Sequence, residues 1–302
     1  MWNALEEQPL KSIVIVLLLC LFSLTALAQP KWKRSDKSKT LDMELFPSTM
    51  TANFLTTETL KKGDMEYEIS HRFKQPLNVG FDGFWGLEGP VNFRMALSYG
   101  ITNRFMATFG ISNLQNNLDL QLRYKLLQIR SKALPSVLVL RGGIAVATKI
   151  PDALERSRFD SDNFQYYAQL AYNTMLFNKK VGIGLVPSYL YNSIIFSVEK
   201  QYTFSLGNYA QWFINGKYSL WVEYNPVISG YQGIILPEDA GDPTKKSYNA
   251  LAIGMDIGTG GHVFRLFTTN STRLNPSQYL VGAEEPFEWD NLKFAFAITR
   301  HF

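Results

Sequence analysis

The sequence predicts an all-β protein: a transmembrane antiparallel up-and-down β-barrel of about 12 strands, with short periplasmic turns and long extracellular loops. From Gly63 onward, apolar and polar residues alternate with a period of two, as in strands that present one face to an apolar environment. Short and long connections alternate along the same part of the chain. Outside the first 30 residues, no run approaches the roughly 20 apolar residues that a membrane helix requires.

The N-terminus is typical of a secretory signal peptide. Residues 13–28 (IVIVLLLCLFSLTALA) are apolar and end in Ala26-Leu27-Ala28, a small-residue cleavage pattern. We therefore expect residues 1–28 to be removed on export. The single cysteine, Cys20, lies inside this leader, so the exported chain would carry no disulfide and no thiol. A lipidated Cys20 is the alternative, but Leu19 occupies the position where a small residue is usual.

Residues 29–62 form a polar N-terminal segment without a clear period. The segment begins with the charged stretch QPKWKRSDKSKT and continues with a mixed stretch. Because it precedes the first periodic segment, two placements are open. It could fold back into the barrel as a plug, or it could remain outside as a periplasmic tail.

Residues 63–302 are predicted to form the barrel. In the first segment, Met65, Tyr67 and Ile69 alternate with Glu66, Glu68 and Ser70. The twelve segments of this kind are 65–74, 91–99, 105–111, 118–126, 138–146, 164–172, 181–191, 202–214, 218–224, 251–257, 262–270 and 292–302.

The connections alternate between short and long, with one exception at residues 112–117. The short connections include GITN (100–103), NKK (178–180), NGK (215–217) and GTGG (258–261). Outer-membrane barrels have short turns at the periplasmic end and long loops outside. A β-sandwich gives no reason for this alternation.

Two hairpins can be paired from the sequence so that apolar residues share a face, as a real hairpin requires. Across NGK, Leu220 is placed opposite Trp212. Across GITN, Met95 is placed opposite Ala107.

The alternation alone does not distinguish a membrane barrel from a β-sandwich, which buries its apolar face. The strands run about 9 to 12 residues, the length that a tilted strand needs to cross a bilayer. The exported chain lacks cysteine, whereas extracellular β-domains often carry disulfides. Aromatic residues also recur at strand ends, where a membrane-interface girdle would lie: Tyr99, Tyr124, Tyr172, Tyr191, Tyr224 and Phe302.

The polar face of the strands supplies the candidate functional residues, because it would line the lumen. Basic residues outnumber acidic ones on this face, and Asp256 and Arg265 are expected to form an ion pair across the GTGG turn. Barrels of about eight strands are filled by side chains, whereas those of 16 to 18 strands leave a channel, so 12 strands decide neither case. The lumen-facing candidates are Arg94, Arg104, Arg123, Arg141, Glu223, Asp256 and Arg265.

No residue pattern predicts catalysis, a cofactor or a metal site. The chain has 3 His, and the only notable pair, Thr299 and His301, lacks the third partner of a catalytic triad. No metal-ligand spacing is present. No basic cluster with interleaved aromatics indicates nucleic-acid binding.

Several stretches also resemble a known family. MALSYGITNRFMATFG, TGGHVFRLFTTNS, ISHRF and the closing LKFAFAITRHF are similar to an uncharacterised family described as a membrane-bound beta barrel domain of unknown function. The resemblance runs from about Phe54 to Phe302. It implies a barrel in the outer membrane of Gram-negative bacteria and carries no established activity.

Together these features predict a narrow passive channel or uptake porin for small solutes, with a slight preference for anions. The alternative is a closed structural or partner-binding barrel that acts through its long extracellular loops, and a membrane-embedded hydrolase is a remote third hypothesis. Expected partners are outer-membrane lipid, a small solute and the barrel assembly machinery. The machinery would recognise the C-terminal strand, in which Phe302 closes the barrel.

Overall fold

The computed structural model describes residues 42–196, 200–232 and 246–302. The predicted signal peptide and residues 29–41 of the polar segment lie outside the described residues.

The described residues form a 13-stranded sheet. Its strands are β1 (Met65–Pro76), β2 (Val91–Thr102), β3 (Phe105–Ser112), β4 (Asn117–Ile129), β5 (Ser136–Ala147), β6 (Phe164–Leu176), β7 (Val181–Tyr191), β8 (Tyr202–Phe213), β9 (Tyr218–Asn225), β10 (Val227–Gly230), β11 (Ala250–Thr259), β12 (His262–Thr269) and β13 (Lys293–His301).

The sheet closes on itself as an antiparallel barrel. Each strand from β1 to β8 pairs with the next, β8 pairs with β9, β9 with β11, and the order continues to β13, which pairs with β1. The short β10 follows β9 after Pro226 and pairs with the far part of β8, so it continues β9. The circumference therefore has 12 strands and one extra strand, and the predicted fold class is confirmed.

The connections separate into two ends of the barrel. At the turn end lie residues 103–104, 130–135, 177–180, 214–217 and 260–261. At the loop end lie residues 77–90, 113–116, 148–163, 192–196 with 200–201, 231–232 with 246–249, and 270–292. The predicted alternation is confirmed, and 113–116 is the one tight connection at the loop end. The start of β1 and the end of β13 both lie at the turn end, where Phe302 N donates to Met65 O at 2.9 Å.

The two register predictions had different outcomes. The β8–β9 hairpin pairs Trp212 with Leu220, as predicted. In the β2–β3 hairpin Met95 pairs with Ile111 and not with Ala107. Both strands extend further toward the turn than the GITN prediction allowed, because the turn consists of residues 103–104 only. The register error is an even number of residues, so it leaves each side chain on its predicted face.

The outer surface of the barrel is apolar. On β4, Leu120, Leu122 and Tyr124 are each close to half exposed, whereas Asp119 and Arg123 between them are buried. A water-soluble barrel shows the reverse arrangement, and a transmembrane barrel presents its apolar residues to lipid. No helix in the described ranges is long and apolar enough to cross a bilayer.

Aromatic rings meet at the strand ends on this outer surface. At the loop end, Tyr166 contacts Tyr191 and Tyr189 stacks with Tyr202 at 6.1 Å between ring centroids. At the turn end, Phe105 contacts Tyr124. Such rings are favoured at the two levels where lipid headgroups meet hydrocarbon.

Candidate functional site: the occupied lumen

Two segments that do not belong to the strands fill the interior of the barrel. The N-terminal plug, residues 42–58, enters ahead of β1, and every residue from 51 to 58 is buried. The loop insert, residues 270–283, folds inward between β12 and β13 and is buried throughout. The insert contains the short helix α1 (Pro276–Tyr279). Of the two placements open for the N-terminal segment, the structure places most of residues 45–58 inside, whereas Glu44 is exposed and Asp42 lies beside Arg104.

Arginines from the barrel wall hold the plug by its main-chain carbonyls. Arg123 Nη1 donates to Thr49 O and to Glu58 O, each at 2.8 Å. Arg265 Nη1 donates to Thr51 O at 2.9 Å. Arg72 Nη2 donates to Ala52 O at 3.2 Å. These four hydrogen bonds are all to the main chain of the plug; Arg72 Nη2 also donates to the side chain of Asn53 at 3.2 Å.

Three N–H donors of the plug are satisfied by acceptors on strands β6 and β9 of the wall. Ala52 N donates to Glu223 Oε1 at 2.7 Å, and Asn53 Nδ2 donates to Glu223 Oε2 at 3.0 Å. Thr57 N donates to Asn173 Oδ1 at 2.7 Å. A buried polar segment is tolerated only when its donors and acceptors are paired, and the wall supplies those partners.

The apolar contacts of the plug are concentrated on β7 and β8. Phe46 and Phe54 pack on Tyr209, with ring centroids 5.6 Å and 6.5 Å away. A side chain at Gly182 would collide with the Phe46 ring, and one at Gly207 would collide with the Phe54 ring. Sequence reasoning missed these two glycines. The available signal was a glycine at an inward-facing position of a strand, which marks a close approach.

The loop insert closes the lumen from the other end. Asn92 Nδ2 donates to Thr272 O at 3.1 Å, and Asn225 Nδ2 donates to Tyr279 O at 3.0 Å. The Tyr279 ring meets the plug at Phe54, 5.3 Å away and edge-on. Two cavities beside these segments measure about 30 and 20 Å³, space for roughly one or two waters each.

Two arginines form ion pairs with carboxylates within the wall. Arg94 Nη2 lies 3.0 Å from Asp119 Oδ2, and Arg94 Nη1 lies 3.5 Å from Glu68 Oε1. The expected ion pair of Asp256 and Arg265 is present at 3.1 Å, and the two residues are directly opposite in register rather than diagonal.

Arg123 and Arg141 form a different arrangement. They are direct cross-strand partners on β4 and β5. Arg141 Nε donates to Gln169 Oε1 at 2.9 Å, and Arg141 Nη1 donates to Gln121 Oε1 at 3.1 Å. Each guanidinium also contacts the Met50 Sδ of the plug at 3.4 Å. Among the described residues, neither arginine has a carboxylate oxygen at ion-pair distance, in contrast to Arg94.

The lumen candidates other than Arg104 lie inside the barrel and are buried: Arg94, Arg123, Arg141, Glu223, Asp256 and Arg265. The prediction that Arg104 faces the lumen is wrong. Its side chain is 52% exposed in the two-residue turn between β2 and β3, with Nε 3.4 Å from Asp42 Oδ1. The alternation of inward and outward side chains along a strand does not extend to Arg104, because β2 ends at Thr102 and β3 begins at Phe105.

The histidines do not assemble a catalytic group among the described residues. His301 Nδ1 lies 3.4 Å from Glu66 Oε2 at the turn end. His71 stacks on Phe296 at 4.6 Å on the outer face. The described part of the chain contains no group of three His, Cys, Asp or Glu placed to hold a metal ion.

A closed barrel with an apolar outer surface and an occupied polar lumen defines a transmembrane β-barrel of the outer-membrane type. The chain belongs to the membrane bound beta barrel domain family (DUF5777), whose model matches residues 46–302. The match confirms the resemblance found in the sequence. It also begins inside the plug, so the plug is part of the family's domain.

Solved structures with a similar fold include a NanC porin and an outer-membrane channel from Pseudomonas putida F1. The NanC porin is 10% identical, with 78% of this chain and 97% of that chain covered and a TM-score of 0.46. The P. putida channel is 13% identical, with 82% of this chain and 98% of that chain covered and a TM-score of 0.48. The outer membrane protein Omp33 of Acinetobacter baumannii is 7% identical over 80% of this chain and 99% of its own, with a TM-score of 0.38. No curated protein matches the sequence significantly.

Proposed function

We propose that this protein is a channel for small, preferably anionic solutes in the outer membrane of Gram-negative bacteria, and that its N-terminal plug closes the channel. On this proposal the turn end faces the periplasm and the loop end faces outward. The observation that carries the proposal is the nature of the filling: a segment separate from the strands occupies the lumen, and hydrogen bonds join its main chain to the wall.

The polar character of the plug supports a filling that can leave. Its Thr49, Thr51, Asn53 and Thr57 contact the wall through hydrogen bonds. A hydrogen bond between neutral groups has a net value of about 1 kcal/mol, and one to a charged arginine or glutamate about 1.5–3 kcal/mol, because water replaces it when the segment leaves. A lumen filled by apolar side chains of the strands themselves would have no such alternative state.

The charges that the plug covers support a preference for anions. Arg72 and Arg123 donate to plug carbonyls, which are neutral acceptors. Once the plug leaves, these guanidinium groups would face the solute path, and rings of basic side chains select anions.

The proposal is tested by deleting residues 42–58 and measuring the conductance of the purified barrel in a planar bilayer. We expect the deletion variant to conduct more than the full barrel. Arg141→Glu in the deletion background should shift selectivity toward cations. Arg104→Glu is the matched control, because it makes the same charge change outside the lumen. A folded deletion variant without conductance would contradict the proposal.

The second candidate is a closed barrel that binds a partner through its loops. It is favoured by an aromatic loop patch on two connections at the loop end, formed by Phe81, Phe84, Trp85 and Trp289. Trp289 is 66% exposed and Phe81 is 74% exposed. Phe84 and Trp85 have φ angles of 46° and 53°, which cost energy in residues other than glycine and tend to be retained at functional sites. The non-conducting result above would favour this candidate.

Neither candidate includes a catalytic step. A lipid hydrolase requires a nucleophile and a base within hydrogen-bonding reach of each other. Our proposal assigns His301 to a polar contact with Glu66 at the rim of the lumen, and it assigns no cofactor.

A further inference from the structure

We propose that Arg123 and Arg141 form a carboxylate-binding subsite in the lumen, which the Met50 thioether occupies while the plug is in place. The inference rests on the proposed function and names the class of solute: a small molecule that carries a carboxylate group.

The geometry directs both guanidinium groups at one point. Arg123 and Arg141 are paired in register on adjacent strands, so their side chains leave the wall side by side. Arg123 Nη2 and Arg141 Nη1 both lie 3.4 Å from Met50 Sδ. Two converging N–H donors suit the two oxygens of a carboxylate.

Among the described residues, no carboxylate lies at ion-pair distance from this pair. Arg94 faces Asp119 and Glu68, and Arg265 faces Asp256. The partners of Arg141 are the amide oxygens of two glutamines, and those of Arg123 are main-chain carbonyls. Arg141 is 1% exposed and Arg123 is 4% exposed. Buried charges are ordinarily paired with an opposite charge, and a thioether sulfur is a weak acceptor.

Glu66, an acidic group beside this subsite, has other partners. Glu66 lines the same cavity as Met50 and Arg123. However, Glu66 Oε1 accepts a hydrogen bond from Thr49, and Glu66 Oε2 lies 3.4 Å from His301. The contacts of both Glu66 oxygens are thus with residues other than the arginine pair.

Space beside Met50 would allow its side chain to move aside for a carboxylate. The cavity of about 20 Å³ is bounded by Met50, Gln121, Arg94 and Arg123. Methionine has three flexible side-chain torsions and tolerates rearrangement. Its rotation into the cavity would free the position between the guanidinium groups.

The first test places a carboxylate at this position from within the chain. Met50→Glu is compared with Met50→Gln, a neutral side chain of the same shape, by the thermal midpoint of the folded barrel in detergent. We expect the Glu variant to have the higher midpoint. This advantage should disappear in the Arg141→Gln background and persist in the Arg104→Gln background. An equal midpoint for Glu and Gln, or an advantage that survives Arg141→Gln, would overturn the proposal.

The second test uses acetate as a free probe and keeps the proposal testable if the first pair of variants folds poorly. Met50→Ala vacates the subsite, and acetate is titrated against chloride at constant ionic strength. Acetate should bind Met50→Ala at least about tenfold more tightly than Met50→Ala/Arg141→Gln, the value of one charge-assisted hydrogen bond. Equal affinity in the two proteins, or a response to sulfate without one to acetate, would contradict a carboxylate subsite.

Both tests measure binding or stability in detergent, with the plug present. A barrel that binds acetate and does not conduct would contradict the channel and leave the subsite intact. A barrel that conducts without acetate binding at the pair would do the opposite.

Discussion

Glu223 on β9 binds the plug through several hydrogen bonds from a single side chain. It is fully buried, and it accepts hydrogen bonds from Ala52 N at 2.7 Å, Asn53 N at 3.3 Å and Asn53 Nδ2 at 3.0 Å. A hydrogen bond to a charged group contributes about 1.5–3 kcal/mol, and Glu223 makes three of them with the plug.

Glu223→Gln should loosen the plug while leaving the barrel folded. The amide presents an NH₂ group to Asn53 Nδ2, where the carboxylate presented an acceptor. We expect faster hydrogen exchange of residues 49–57 by mass spectrometry, with about 2 kcal/mol less protection. Glu88→Gln, an exposed carboxylate in a loop, is the control. Unchanged exchange in Glu223→Gln would show that the plug does not depend on this carboxylate.

For individual residues, the period-two pattern of the sequence predicts only which face of a strand a side chain lies on. Strand parity placed Arg94, Arg123 and Arg141 inside, because side-chain direction alternates strictly within a strand. This alternation does not extend into the β2–β3 turn, where Arg104 lies. The position of Met50 was beyond prediction, because the plug has no period that fixes which of its residues meets which strand.

Among the elements, the loop insert depends on an ion pair at its base. Arg273 Nε lies 3.2 Å from Glu284 Oε1, and both side chains are buried. Burial by itself raises the pKa of Glu284. The charge of Arg273 and the hydrogen bond from the Thr272 hydroxyl outweigh it and hold the pKa below its usual value of 4.5. A carboxylate with a depressed pKa stabilises the folded state above its ordinary pKa and loses that contribution as the pH falls through the folded value.

The stability contributed by Glu284 should therefore disappear in acid. Glu284→Gln should lower the free energy of unfolding by about 2 kcal/mol near neutral pH. The difference between wild type and variant should shrink as the pH falls below 4.5, the usual pKa of glutamate. The measurement is the thermal midpoint of both proteins as a function of pH. A difference that stays constant across this range would exclude the ion pair as its source.

The strands were predictable and the two inserted segments were not, for a physical reason. Each strand has one face in lipid and one in the lumen, so its environment appears directly in the sequence. The loop insert is polar, with Asn270, Ser271, Thr272 and Arg273 in succession, and its sequence resembles that of a solvated loop. Its burial depends on the free volume of the lumen, which is set by the whole barrel.

For the whole molecule, closure depends on the first and last barrel strands. Glu66 is opposite His301 in the β1–β13 pair, and the main chain of Phe302 is bonded to Met65 in both directions. The Phe302 ring is 45% exposed and lies 4.7 Å from the Arg300 guanidinium. The ring therefore contributes little packing to the finished barrel, although it ends the strand that completes it.

Phe302→Ala should reduce the amount of folded barrel in cells more than it reduces the stability of the purified protein. We propose that the assembly machinery recognises the terminal aromatic strand before closure. The measurement is the folded fraction in outer-membrane preparations, judged by heat-modifiable migration, beside the thermal midpoint of purified protein. Phe302→Tyr is the control that keeps the ring. Equal folded fractions for Phe302→Ala and wild type would contradict a role in assembly.

The short connection between plug and barrel makes the plug a tethered ligand. Only residues 59–64 separate it from β1, and this stretch is fixed to the wall where Gly63 N donates to Gly100 O at 2.8 Å. A ligand on a short tether is present at an effective concentration in the millimolar range. Even a plug with weak intrinsic affinity would thus remain mostly bound. A free solute must compete with this local concentration. The solute concentration needed to displace the plug therefore depends on the length of the tether as well as on the contacts between the plug and the wall.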